Sequence, residues 1–136
     1  MTLWLLDASV LLAGEDPDDD QHRAARGLLA GDDPIATLDL AHYEVVNVAV
    51  RAWSDQPAAA RLVARLAAIG GDGGIVQVDG QLIDAAGALA EEHGISVHDA
   101  AYVAAASRRG AELVSCDVRD LVSRHLARLP ADVAPH

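Results

Sequence analysis

Four carboxylates stand where the surrounding residues make a charge consequential: Asp7, Glu44, Asp99 and Asp117. Asp7 ends the apolar run Leu3-Trp4-Leu5-Leu6, so a strand would deliver it directly to a sheet edge; Asp is equally favoured as the cap of the helix that follows. Ser9 adds a hydroxyl that could orient a carboxylate or act as a second cap. Glu44 shares a helix face with the apolar Leu40 and Val48, four residues to either side. An unpaired carboxylate on a buried face is costly, so Glu44 needs a cation, hydrogen-bond donors, or an arginine such as Arg51. Asp99 opens an alanine-rich helix, where the helix dipole favours an acid and small side chains allow close approach to a sheet. Asp117 follows Leu113-Val114-Ser115-Cys116, with Asp120 three residues on. One of these two could serve only as a cap; Asp117, nearer the strand end, is preferred for the site, and Asp120 is its substitute.

Carboxylates gathered at about 4 Å repel by roughly 4 kcal/mol per pair at an effective dielectric near 20, so such a group requires a compensating cation. Oxygen ligands without Cys or paired His favour Mg²⁺ or Mn²⁺ over Zn²⁺. The six histidines form no HxxxH or HExxH pattern, and they read mostly as surface residues. Cys116 lacks a catalytic context and reads as an inert thiol. Gly70-Gly71-Asp72-Gly73-Gly74 follows a helix and has no lysine, which argues against a phosphate-binding loop.

The elements that must position these acids alternate. Short apolar or β-branched runs predict strands at 3–6, 35–38, 75–78 and 112–115, with a weaker fifth near Val133. Helices are predicted over 8–14, from the acidic stretch at Asp16 to Gly31, and over 39–53, 57–69, 80–93, 98–109 and 118–127. This alternation implies an α/β fold, a central parallel sheet flanked by helices on both faces. Ligands in such sheets gather beyond the carboxyl ends of the strands, where Asp7 and Asp117 fall.

The 136 residues fit one domain, 1–136. No apolar run reaches the roughly 18 residues of a membrane span, and the first residues lack the basic start of a signal peptide. The single cysteine accords with a reducing, cytoplasmic setting. Net charge is -11, and all ten basic residues are arginines. That balance disfavours a non-specific nucleic-acid binder but not a nuclease, whose metal-holding carboxylates count as negative. It also makes a basic partner segment attractive.

These residues together resemble the PIN-domain family, and within it the VapC-type toxins of toxin–antitoxin systems. The resemblance rests on Leu5-Leu6-Asp7-Ala8-Ser9-Val10-Leu11-Leu12, Glu44 in a helix after Thr37-Leu38, His98-Asp99-Ala100-Ala101-Tyr102-Val103-Ala104-Ala105-Ala106, and Leu113-Val114-Ser115-Cys116-Asp117. Ser115 stands where the family often has Thr. The resemblance implies a PIN-like fold and a metal-dependent endoribonuclease that hydrolyses RNA phosphodiesters with a Mg²⁺-activated water, Mn²⁺ being an alternative ion. It assigns Asp7, Glu44, Asp99 and Asp117 to the catalytic site, with Asp7 and Asp99 as direct metal ligands. It further implies a homodimer held in check by a VapB-like antitoxin. Arg23, Arg26, Arg51, Arg108, Arg109 and Arg119 are the candidates for positioning RNA phosphates, against their ordinary role as solvated surface residues. A catalytically silent PIN-like module that binds an antitoxin or RNA is the alternative. A phosphoacceptor receiver domain would also cluster acids at strand ends, but it depends on a lysine and this chain has none.

Overall fold

The computed structural model describes residues 1–133. Strand β1 spans Trp4–Leu6, β2 Ile35–Leu38, β3 Ile75–Val76 and β4 Glu112–Val114. All pairings are parallel and the order is β3-β2-β1-β4. Leu5 and Leu6 point to opposite faces of the sheet, yet both are fully buried, so helices cover both faces. The buried side chains form one continuous core, mostly Leu, Val and Ala.

Helix α1 is Ala8–Ala13, α2 His22–Ala30, α3 Ala41–Asn47, α4 Gln56–Gly71, α5 Gly80–His93, α6 Val97–Arg109 and α7 Pro130–Val133. Their starts follow capping chemistry: Asp7, Asp55, Asp79 and Ser96 each accept a backbone N–H from the first turn of the next helix. Gly94 and Gly110 end α5 and α6 in the left-handed region, with φ of 65° and 63°, which glycine adopts without steric cost. Ala100, Ala101, Ala104, Ala105 and Ala106 are buried, and α6 packs on β1, β2 and β4. A helix faced with methyl groups can lie this close to a sheet.

Chain order fixes where a site can form. From β1 the chain goes to β2 on one side; β4, reached last, lies on the other side of β1. The strand order therefore reverses between β1 and β4, and the crevice at their carboxyl ends is the natural binding position of a parallel sheet.

Four local expectations change. The acidic stretch does not start a helix, because Asp16 and Asp19 accept the N–H of Asp18 and Gln21 and hold the chain in turns until His22. The predicted 39–53 helix begins at Ala41 and passes at Val48–Ala52 into a π-helical turn. The predicted 118–127 helix is only a π-helical turn, Val118–Val122, and His125 at φ 62° takes the chain out of helical geometry. Among the described residues no strand forms near Val133: Pro130, lacking an N–H, opens α7 there, and the sheet edge is extended instead by a single bridge from Val114 to Arg128. Among the described residues, no helix is long and apolar enough to cross a membrane.

Candidate active site

Asp7 leaves the end of β1 and is the most buried of the acids, at 5% exposure. Its backbone N–H donates to Val114 O of β4, tying the two strand ends together. Its carboxylate accepts the Ser9 hydroxyl at 2.5 Å and the Val10 N–H at 3.4 Å. Burial pushes the Asp7 carboxyl up to about 6 from the ordinary 3.8, with the Ser115 and Ser9 hydroxyls partly offsetting the loss of water. The two serines also knit the loop after β4. Ser9 Oγ accepts the Cys116 N–H at 2.9 Å, and Ser115 Oγ accepts the Asp117 N–H at 3.0 Å. Ser9 is thus more than a cap, because one hydroxyl serves Asp7 and the β4 loop together.

The other acids arrive from two further elements. Asp99 lies in the first turn of α6, its N–H donating to Ser96 Oγ. Asp117 caps the π-helical turn after β4, accepting the Asp120 N–H at 3.0 Å. Each of Asp99, Asp117 and Asp120 offers an oxygen, and these oxygens all lie within 4.8 Å of one another. Asp117 and Asp120 therefore stand together at the site, both half-buried, instead of one excluding the other. Asp7 and Glu44 fall outside that tight group. Their charges still reach it: Asp99 slightly raises Asp7, and Glu44 slightly raises Asp99. Asp99 is held above the usual carboxylate range by partial burial first, then by Asp117, Asp120 and Glu44.

Glu44 differs in detail from its expected setting. The fully buried positions of α3 and the turn after it are Ala41, Val45 and Ala49, while Leu40, Glu44 and Val48 are half-buried. Glu44 thus sits at the margin of the buried face. Its partner is not Arg51, which makes no ion pair among the described residues. Instead the Tyr102 hydroxyl donates to Glu44 Oε1 at 2.5 Å. Tyr102 is 2% exposed, and burial together with Glu44 drives its phenol well above the ordinary range, so it remains a donor. The sequence reading missed Tyr102 as part of the site. The available signal was its place three residues after Asp99, one helical turn along the same face.

The arginines divide by position. Arg119 lies within the acidic turn, 93% exposed in its side chain and 3.9 Å from Asp120. Arg108 is nine residues beyond Asp99 on α6, about 14 Å along the axis at 1.5 Å per residue. There it pairs with Asp79 at 2.9 Å, and Arg109 donates to Gly73 O. Both are engaged at the far end of the helix. Burial pushes the Cys116 thiol up to about 12, which keeps it protonated and unreactive at neutral pH.

Chemically, the close group is hard and all-oxygen. Among the described residues the one cation in ion-pair range of it is the exposed Arg119. Three carboxylates with so little neutralisation fit a hard divalent cation, and the donors do not fit a thiophilic one.

Comparison with known proteins agrees in one direction. The family model described as PIN domain matches residues 4–125. Ribonuclease VapC3 of Pyrobaculum aerophilum is 33% identical over 140 residues, covering 96% of this chain and 98% of that protein. The crystal structure of Mycobacterium tuberculosis VapC20, titled a sarcin-ricin loop cleaving toxin, superposes with a TM-score of 0.73 at 22% identity, over 97% of this chain and 99% of that one. A toxin-antitoxin complex from Klebsiella pneumoniae gives 0.68 at 20% identity, over 93% and 96%.

Proposed function

This chain belongs to the PIN domain family, and from that premise we propose that it is a VapC-type toxin, a Mg²⁺- or Mn²⁺-dependent endoribonuclease. The observation that carries this reading is the convergence of Asp99, Asp117 and Asp120 within 4.8 Å beside the buried Asp7, at the crevice where the strand order reverses. The Pyrobaculum relative is named a ribonuclease and the structural neighbours are described as toxins or toxin complexes, which supports the same activity here.

In this reading Asp99, Asp117 and Asp120 hold the cation, with Asp7 and Glu44 completing the acidic wall. When bound, the cation supplies Lewis acidity toward the phosphate and acidifies a water for in-line attack on phosphorus. The chain's own groups do the rest. Ser9 fixes the Asp7 carboxylate, and Asp7 is mostly ionised above pH 6, a state a neighbouring cation favours further. Arg119 stands exposed at the rim, only 3.9 Å from Asp120, where its guanidinium can take a backbone phosphate. The acidic wall repels RNA until the cation is in place, so binding of metal precedes binding of substrate.

The net charge of -11 suits capture by a basic segment of an antitoxin, and the neighbours include toxin–antitoxin complexes. A homodimer of single-domain subunits acting in the cytoplasm completes the proposal.

The test is cleavage of tRNA and ribosomal RNA by purified protein with Mg²⁺ or Mn²⁺ and with EDTA. Cleavage should require metal and fall at least about a hundredfold in Asp99→Asn and Asp117→Asn. Cleavage that survives those changes, or needs no metal, refutes the site. Antitoxin or RNA binding with no cleavage by wild type under any metal establishes the silent module instead.

A further inference from the structure

Tyr102 is the buried polar side chain that links two walls of the site, and neither the fold nor the acidic group alone explains its contact. It lies on α6 one turn after Asp99, and its hydroxyl donates to Glu44 Oε1 across 58 residues of chain, joining α6 to α3. Glu44 has no other side-chain hydrogen bond and no ion pair among the described residues. A half-buried glutamate with three rotatable side-chain bonds would otherwise sample several rotamers. The tyrosine, 2% exposed and fixed by packing, has far less freedom. Its hydroxyl engages one oxygen of Glu44, which leaves Oε2 without a side-chain hydrogen-bond partner among the described residues. The charge of Asp7 also bears on the Tyr102 oxygen, so it stands near two of the acidic positions, Glu44 and Asp7.

We propose that Tyr102 is a positioning residue that holds Glu44 in one rotamer in the acidic wall, so that its charge supports binding of a divalent cation by Asp99, Asp117 and Asp120. This rests on the metal-site reading above and adds to it the group that orders Glu44. Hydrogen-bond partners that order the groups around a metal site commonly change metal affinity by about 10–100-fold when removed.

The experiment is calorimetric titration of the full-length, RNA-free protein with Mn²⁺, comparing wild type, Tyr102→Phe, Glu44→Gln and the double variant, with thermal melting in EDTA. Phe keeps the ring and its packing and deletes only the hydroxyl. Tyr102→Phe should weaken Mn²⁺ binding by about 10-fold or more while melting within a few degrees of wild type. The double variant should bind no worse than Glu44→Gln alone, because the hydroxyl acts only through Glu44. Wild-type Mn²⁺ affinity in Tyr102→Phe, at any melting temperature, assigns the hydroxyl to packing and overturns the inference alone. Fully additive losses in the double variant also overturn it, since Tyr102 would then act independently of Glu44. Wild-type protein that takes up no Mn²⁺ overturns the metal-site reading and this inference with it.

Discussion

Replacing Asp7 with Asn should make the metal-free protein more stable at neutral pH, although it removes a residue of the site. The carboxyl is 5% exposed and its folded-state value is about 6 against 3.8 for the free group. A group whose pKa is raised on folding keeps its proton longer in the folded state than in the unfolded one. Stability is therefore lost as pH climbs from about 4 to about 6, and above that the penalty is complete. At about 1.4 kcal/mol per pH unit, the displacement costs the folded state about 3 kcal/mol at pH 7.5. That figure already includes the hydroxyls of Ser9 and Ser115 and the Val10 N–H. Asn carries no charge and its oxygen can still accept, but its amide N–H₂ arrives without an assured acceptor, which returns part of the gain. A net stabilisation of about 1–3 kcal/mol remains, or roughly 4 °C in Tm for each kcal/mol at this chain length. The assay is thermal and urea unfolding of Asp7→Asn and wild type in EDTA at pH 7.5 and pH 4. The variant should melt higher by about 4–12 °C at pH 7.5, and the gap should close at pH 4, where wild type is protonated too. Saturating Mn²⁺ should then stabilise wild type more than the variant, since binding to the folded state adds about 2.7 kcal/mol at a hundred times Kd. A variant less stable than wild type at pH 7.5, or a gap indifferent to pH, would refute the argument that burial dominates at Asp7.

Two further outcomes test the geometry. Arg119→Ala should raise KM for RNA several-fold with little change in kcat, whereas Arg108→Ala should leave cleavage within about twofold, because Arg108 is bound to Asp79 about 14 Å along α6 from Asp99; steady-state kinetics on one RNA substrate distinguish them. Gly74→Ala should destabilise by about 1–3 kcal/mol in urea unfolding, since a Cβ there would lie 2.6 Å from Ile35 O and 2.7 Å from Ile69 Cγ2, where β3 enters beside β2.

Much of the fold was legible because its signals are local. Apolar runs of three or four residues ending at Asp7 and near Asp117 marked β1 and β4, and Gly94 and Gly110 marked the ends of α5 and α6. The errors fell where local alternatives compete closely. The aspartates at 16–20 suit a helix start and a turn equally well, and here side-chain bonds to the backbone selected the turn. Near Val133 a β-branched residue favoured a strand, but Pro130 three residues earlier opened a helix. For the site, the residue types were readable while their ranking was not. Periodicity put Glu44 on the buried face, yet that face is displaced by one residue to Ala41, Val45 and Ala49, a rotation of about 100° on a helix. The acid that bears the desolvation is Asp7, whose neighbours come from β4 and from Ser115.

The sequence by itself determined the alternation of strands and helices, the family resemblance, and a set of acids suited to a hard cation, because each of these depends on residues close together in the chain. Only the tertiary structure decided which oxygens meet. It admitted Asp120 beside Asp117, set Asp7 deepest, moved Arg108 and Arg109 to the wrong end of α6, and gave Glu44 a tyrosine in place of Arg51. The meeting of Asp99 with Asp117 and Asp120, and of Tyr102 with Glu44, turns on how α6 packs against the sheet and α3. That is set by the summed packing of the alanines on its buried face, a non-local quantity that no short stretch of residues encodes.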